Sequence, residues 1–83
     1  MVIDLRTEAE RLRDPKRSDI QIEVPLPVTP AVRQWLEHTL LHIAAAHRRE
    51  TFKVCCAKGN RSKIAADILR RGGYDVVDLG GVG

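Results

Sequence analysis

Cysteines, aromatic residues and long apolar runs are all scarce in this sequence of 83 residues. The only cysteines are neighbours, Cys55 and Cys56. Adjacent cysteines make no disulfide framework, because a bond between chain neighbours is strained. In a reducing compartment both are expected as thiols. The three aromatics, Trp35, Phe52 and Tyr74, are too few to build a stacking platform for single-stranded nucleic acid. Charge of one sign is also weak: 14 Lys+Arg against 11 Asp+Glu leave a net +3. That bias favours small anions over cations, but it is too dispersed to argue for nucleic acid. No apolar run approaches transmembrane length. Charge arrives too early in Val2-Ile3-Asp4-Leu5-Arg6 for the apolar core of a targeting peptide. The expectation is a cytoplasmic protein with neither nucleic-acid nor membrane partners.

What is present reads as one globular domain over residues 1–83, with 43% hydrophobic and 30% charged residues. Val2-Ile3-Asp4-Leu5 is a short buried strand. Thr7-Glu8-Ala9-Glu10 has the form of a capping box and predicts a helix over 8–13. Ile20-Gln21-Ile22-Glu23-Val24 alternates as a half-buried strand does, and Pro25 and Pro27 end it. Thr29 as N-cap and Pro30 as first helical residue open the longest helix, which Arg48-Arg49 close. Its stripe of Val32, Trp35, Leu36, Leu40, Ile43 and Ala44 is expected in the core. Phe52 to Cys55 is a third strand, residues 62–71 a third helix stopped by Gly72-Gly73, and Asp75 to Leu79 a last strand. The closing Gly80-Gly81-Val82-Gly83 is expected to be mobile unless docked. Strands alternating with helices predict an α/β domain with a mostly parallel four-stranded sheet.

The loop Cys56-Ala57-Lys58-Gly59-Asn60-Arg61-Ser62 lies between the third strand and the third helix. An α/β protein commonly keeps its site there, at the carboxyl end of a strand. Unpaired N–H groups at the helix start and the positive end of its dipole face the loop. Gly59 allows backbone conformations closed to other residues, and Lys58 and Arg61 add positive charge. Such surroundings stabilise a thiolate and hold an anion. Cys56, as first loop residue, is the candidate nucleophile, and residues 57–62 are the candidate anion-binding loop.

These residues resemble the active-site loop of the rhodanese-like sulfurtransferases: a cysteine, two variable residues, glycine, a polar residue, arginine and a small residue. Ile3-Asp4-Leu5-Arg6 is similar to the family's early strand end, and Ile22-Glu23-Val24-Pro25-Leu26 to its proline-leucine segment. Residues 65–74 resemble the helix and glycine-tyrosine turn after the loop, and Leu79-Gly80-Gly81-Val82 the late glycine pair. The resemblance implies a compact rhodanese-like domain. Its Cys56 would take a sulfane sulfur from a small sulfur-containing anion such as thiosulfate. The sulfur would pass as a persulfide to a thiol or cyanide, with no cofactor and no metal. Lys58 and Arg61 would then attract the donor, and Asp4 and Arg6 would support the loop. Phosphatases that use a cysteine have a longer loop than the four residues from Ala57 to Asn60, which suits sulfur better than a phosphoryl group.

Against the family pattern, the first strand and the final helix are missing, and Arg17-Ser18-Asp19-Ile20-Gln21 stands in place of a histidine-isoleucine-proline-glycine turn. The loss predicts an exposed edge or apolar patch, and with it a homodimer or a covering protein partner. It also leaves open an alternative, a catalytically silent rhodanese-like module for binding or regulation. The remaining side chains have plainer readings. Cys55 reads as a buried strand residue, with a resolving thiol as the other reading. His38 and His42 are four apart on a helix but have no third ligand at a suggestive spacing, so they read as solvated. His47 caps the helix or faces water, and Arg70-Arg71 complement a helix dipole.

Overall fold

The computed structural model describes residues 1–82 and contains β1 (Val2–Asp4), α1 (Glu8–Arg13), β2 (Ile20–Gln21), α2 (Pro30–Ala46), β3 (Phe52–Cys56), α3 (Asn60–Arg71) and β4 (Val76–Gly81). The strands form one sheet in the order β2-β1-β3-β4, and every pair is parallel. The α/β class and the parallel sheet are as the alternation of elements predicts.

Local chemistry explains most boundaries. The Thr7 hydroxyl accepts from the Glu10 N–H and the Glu10 carboxylate accepts from the Thr7 N–H, which completes the capping box of α1. Thr29 accepts from the Val32 N–H, and Pro30 takes the first turn of α2. Other boundaries move. β2 stops at Gln21, although Ile22 and Val24 keep their alternation and are buried. α2 ends at Ala46 with the His47 N–H on the Ala44 carbonyl, so Arg48 and Arg49 lie beyond the helix. α3 begins at Asn60, which places Arg61 and Ser62 in its first turn. β4 runs on through Gly80 and Gly81, which pair with Cys55 and Cys56, so this end of the chain is docked; Gly83 lies outside the described residues.

Strand alternation sends Phe52, Val54 and Cys56 to one face of β3, where they join Ile3 and Leu5 in a single core. Leu36, Leu40 and Ala44 of α2 and Ala65, Ile68 and Leu69 of α3 complete it. Each large apolar side chain buried there contributes about 1.5–3 kcal/mol. Trp35 corrects the sequence reading: it is 45% exposed. The core row of α2 is the i, i+4, i+8 line 36-40-44, and a residue one position off that line is turned about 100° around the axis. The other sheet face is sparsely covered. Lys53 and its register partner Val77 are exposed, and so is Leu79 on the edge strand β4. Val77 and Leu79 thus form an exposed apolar patch on this face.

Candidate active site

Cys56 is the last residue of β3, not the first of the loop, and none of its surface is exposed. Its Sγ lies under the first turn of α3. The Gly59 N–H donates to it at 3.0 Å and the Ser62 N–H at 3.3 Å. The reason is local. Gly59 is the N-cap of α3, with φ of +97°, and carries no side chain to satisfy the helix's orphan donors. The sulfur does what a capping oxygen does elsewhere. Ser62 closes the turn by donating its hydroxyl to the Gly59 carbonyl at 3.0 Å. Two N–H donors and a helix start converge on one sulfur, an arrangement that suits a sulfur carrying negative charge.

Cys55 points to the opposite face, since neighbours on a strand alternate. It is buried, and its Sγ lies 3.9 Å from the Ile3 carbonyl oxygen. Burial, with Asp4 nearby, pushes its thiol pKa up. The two thiols therefore have different surroundings despite adjacent positions.

The sequence reading gives Arg61 to the anion-binding loop as a charge for the donor, but in the structure that charge is paired within the protein. Its guanidinium is turned inward and is 4% exposed. Nη1 and Nη2 donate to the two Glu10 oxygens at 2.8 and 3.0 Å, and Nη1 also reaches the Leu5 carbonyl. Arg61 thus ties the first turn of α3 to α1. Glu10 was legible in the sequence only as a capping residue. Its partner lies 51 positions away, and nothing local announces the pair. Hydrogen bonds from Arg61 outweigh burial and, with those from Thr7, draw the Glu10 pKa down from 4.5 to about 2. A depressed carboxylate stabilises the fold above its unfolded value. That contribution is complete above pH 4.5 and is lost as pH falls toward 2. Glu10→Gln is therefore expected to lower the melting temperature at pH 7 and to flatten its decline between pH 4.5 and 2. Melting curves across that range check this; a variant profile parallel to that of the parent chain would refute it.

Asp4 and Arg6 form a second tie, both almost wholly buried. Arg6 Nε lies 3.0 and 3.1 Å from the Asp4 oxygens, Nη2 donates to Oδ2 at 2.9 Å, and Nη1 donates to the Asp14 carbonyl at 2.7 Å. Burial alone would raise the Asp4 pKa, but the Arg6 donors hold it below the usual carboxylate range. Asp4 is register partner to Cys55, so the pair stands one residue from the sulfur cradle.

β4 backs the loop from the other side. The Val82 N–H donates to the Cys56 carbonyl at 2.8 Å, and Gly81 lies against the backbone of Ala57 and Lys58. β4 carries a bulge at Leu79, opposite the step from Val54 to Cys55 on β3, and this extra residue brings the glycine pair opposite the cysteines. Of the remaining loop residues, Lys58 and Asn60 are exposed and Ala57 is half-buried. His38 and His42 are exposed on α2. Among the described residues no group of three or more His, Cys, Asp or Glu side chains is placed to hold a metal ion, and no helix is long and apolar enough to cross a membrane. Comparisons with protein-family models, curated proteins and solved structures found no match to this chain.

Proposed function

We propose that the protein is a sulfurtransferase or persulfide carrier with Cys56 as its nucleophile. The observation that carries this reading is the sulfur cradle, in which backbone N–H groups of Gly59 and Ser62 converge on Sγ at the start of α3. The Cys56 thiolate attacks the outer sulfur of a donor such as thiosulfate. A new S–S bond forms, the donor's S–S bond breaks, and its electron pair leaves with sulfite. Cys56 then carries a persulfide, whose charge the cradle is suited to hold. Cyanide or a thiol attacks the outer sulfur and releases thiocyanate or a new persulfide, regenerating the thiolate. This is two-step covalent catalysis. It needs a free thiol, which fits a cytoplasmic setting; both cysteines are free.

Intact-mass spectrometry of the reduced protein after incubation with thiosulfate tests the reading, with Cys56→Ser in parallel. The expected result is a cyanide-labile gain of one sulfur atom that the variant lacks. A folded protein with no adduct would overturn it. The second reading, a silent rhodanese-like module for binding or regulation, has its own support. Cys56 is wholly buried, and the open sheet face at Val77 and Leu79 offers a surface that a second copy or a protein partner could cover.

A further inference from the structure

We propose that the cleft between α1 and the Cys56 loop recognises the oxyanion end of the substrate, with Arg13 and Lys58 as its specificity-determining cations. This rests on the sulfurtransfer reading and adds to it where the charge of the substrate is read. The cradle N–H groups are already given to Sγ, and Arg61 is given to Glu10. The positive charge for a substrate must therefore come from elsewhere.

The cleft holds about 120 Å³ and is lined by Arg6, Glu10, Arg13, Asp14, Ala57 and Lys58. Two of these directly follow Cys56 in the chain. Pairing the charges leaves a clear remainder. Arg6 is matched by Asp4, Glu10 by Arg61, and Asp14 by Lys16 at 3.4 Å. Arg11, next along α1, is spent on the Arg6 carbonyl. Arg13 and Lys58 are exposed, and among the described residues neither has an ion-pair partner. Two uncommitted cations thus face one small cleft from opposite walls, α1 and the loop. A sulfonate or carboxylate group is of a size for such a space, and a charged cleft concentrates anions near the sulfur. Sequence reading gave Lys58 a place in the loop but had no reason to add Arg13, which only the packing of α1 brings there.

The test compares two alkylating agents, anionic iodoacetate and neutral iodoacetamide, on Cys56 in a Cys55→Ala background. The ratio of the two rates reads charge selection without any sulfur transfer. Arg13→Gln with Lys58→Gln is expected to lower the ratio by about tenfold at low ionic strength, with the difference shrinking as salt rises. A ratio unchanged by the double substitution would overturn the proposal. So would an equal loss toward both reagents. Inorganic sulfate titrated into labelled protein gives a second reading independent of thiol reactivity. Saturable shifts at Arg13 and Lys58 support the site; shifts no larger than at the remote Lys53 refute it. A preserved charge effect in a protein that forms no cyanide-labile adduct would keep the anion site and remove the transfer chemistry.

Discussion

Asp4→Ala is expected to cost the chain a large share of its stability and to move its denaturation midpoint far below that of the parent chain. The substitution removes the carboxylate that meets Nε and Nη2 of Arg6 and leaves a guanidinium with no surface exposure and one carbonyl partner, that of Asp14. Breaking a buried pair from one side costs about 3–5 kcal/mol. A domain of this kind has a total stability of only about 5–15 kcal/mol, so the loss is a large share. Arg6 also orders the segment around it, since its own carbonyl holds Arg11 and its Nη1 holds the end of α1. Chemical denaturation followed by circular dichroism measures the effect. Replacing both partners, Asp4→Leu with Arg6→Met, is expected to recover much of the loss, because no uncompensated charge then remains. A single substitution costing under about 1 kcal/mol would show that water or another group already neutralises Arg6.

Gly81→Ala is expected to disturb the sulfur cradle without touching it. A Cβ at this position would stand 2.7 Å from the Ala57 carbonyl oxygen and 3.0 Å from the Lys58 carbonyl carbon. Both are backbone, so no side chain can swing aside. Either β4 lifts from β3, breaking the Val82 N–H bond to the Cys56 carbonyl, or the loop moves. Overpacking of this kind costs about 1–3 kcal/mol. The specific readout is hydrogen exchange at Gly59 and Ser62, whose N–H groups hold Sγ and should exchange faster. Gly80→Ala is the control. A Cβ there meets nothing within 4 Å, though its φ of +72° carries a conformational cost of about 1–2 kcal/mol. It should lower stability and leave exchange at Gly59 and Ser62 unchanged. Equal acceleration in both variants would mean that the end of β4 supports the loop only through general stability.

Features written into neighbouring residues were legible from the sequence. The Thr7–Glu10 capping box, the Thr29-Pro30 start of α2 and the placing of a cysteine between a strand and a helix all follow from local hydrogen bonding and hydrophobic period. These need only a few consecutive residues, so alternation of strand and helix, and with it the α/β class, could be read directly. Finer positions could not. Periodicity gave Trp35 and Leu36 to one stripe, but only the docking of α2 on α3 and the sheet decided that Leu36 faces inward and Trp35 stays half in solvent. Alternation carried β2 on to Val24, whereas its ladder with β1 ends at Gln21 because β1 itself is three residues long.

By itself, the sequence determined the order of the elements and the position of Cys56 beside a helix start, because both rest on short-range geometry, and the alternation of strands with helices in that order implied a parallel sheet. The tertiary structure decided which groups the site can use. It turned Arg61 inward to Glu10, brought Arg13 beside Lys58 and set Gly81 against the loop. Those contacts join residues tens of positions apart, and what selects them is the requirement that buried charges be matched and that backbones pack without overlap.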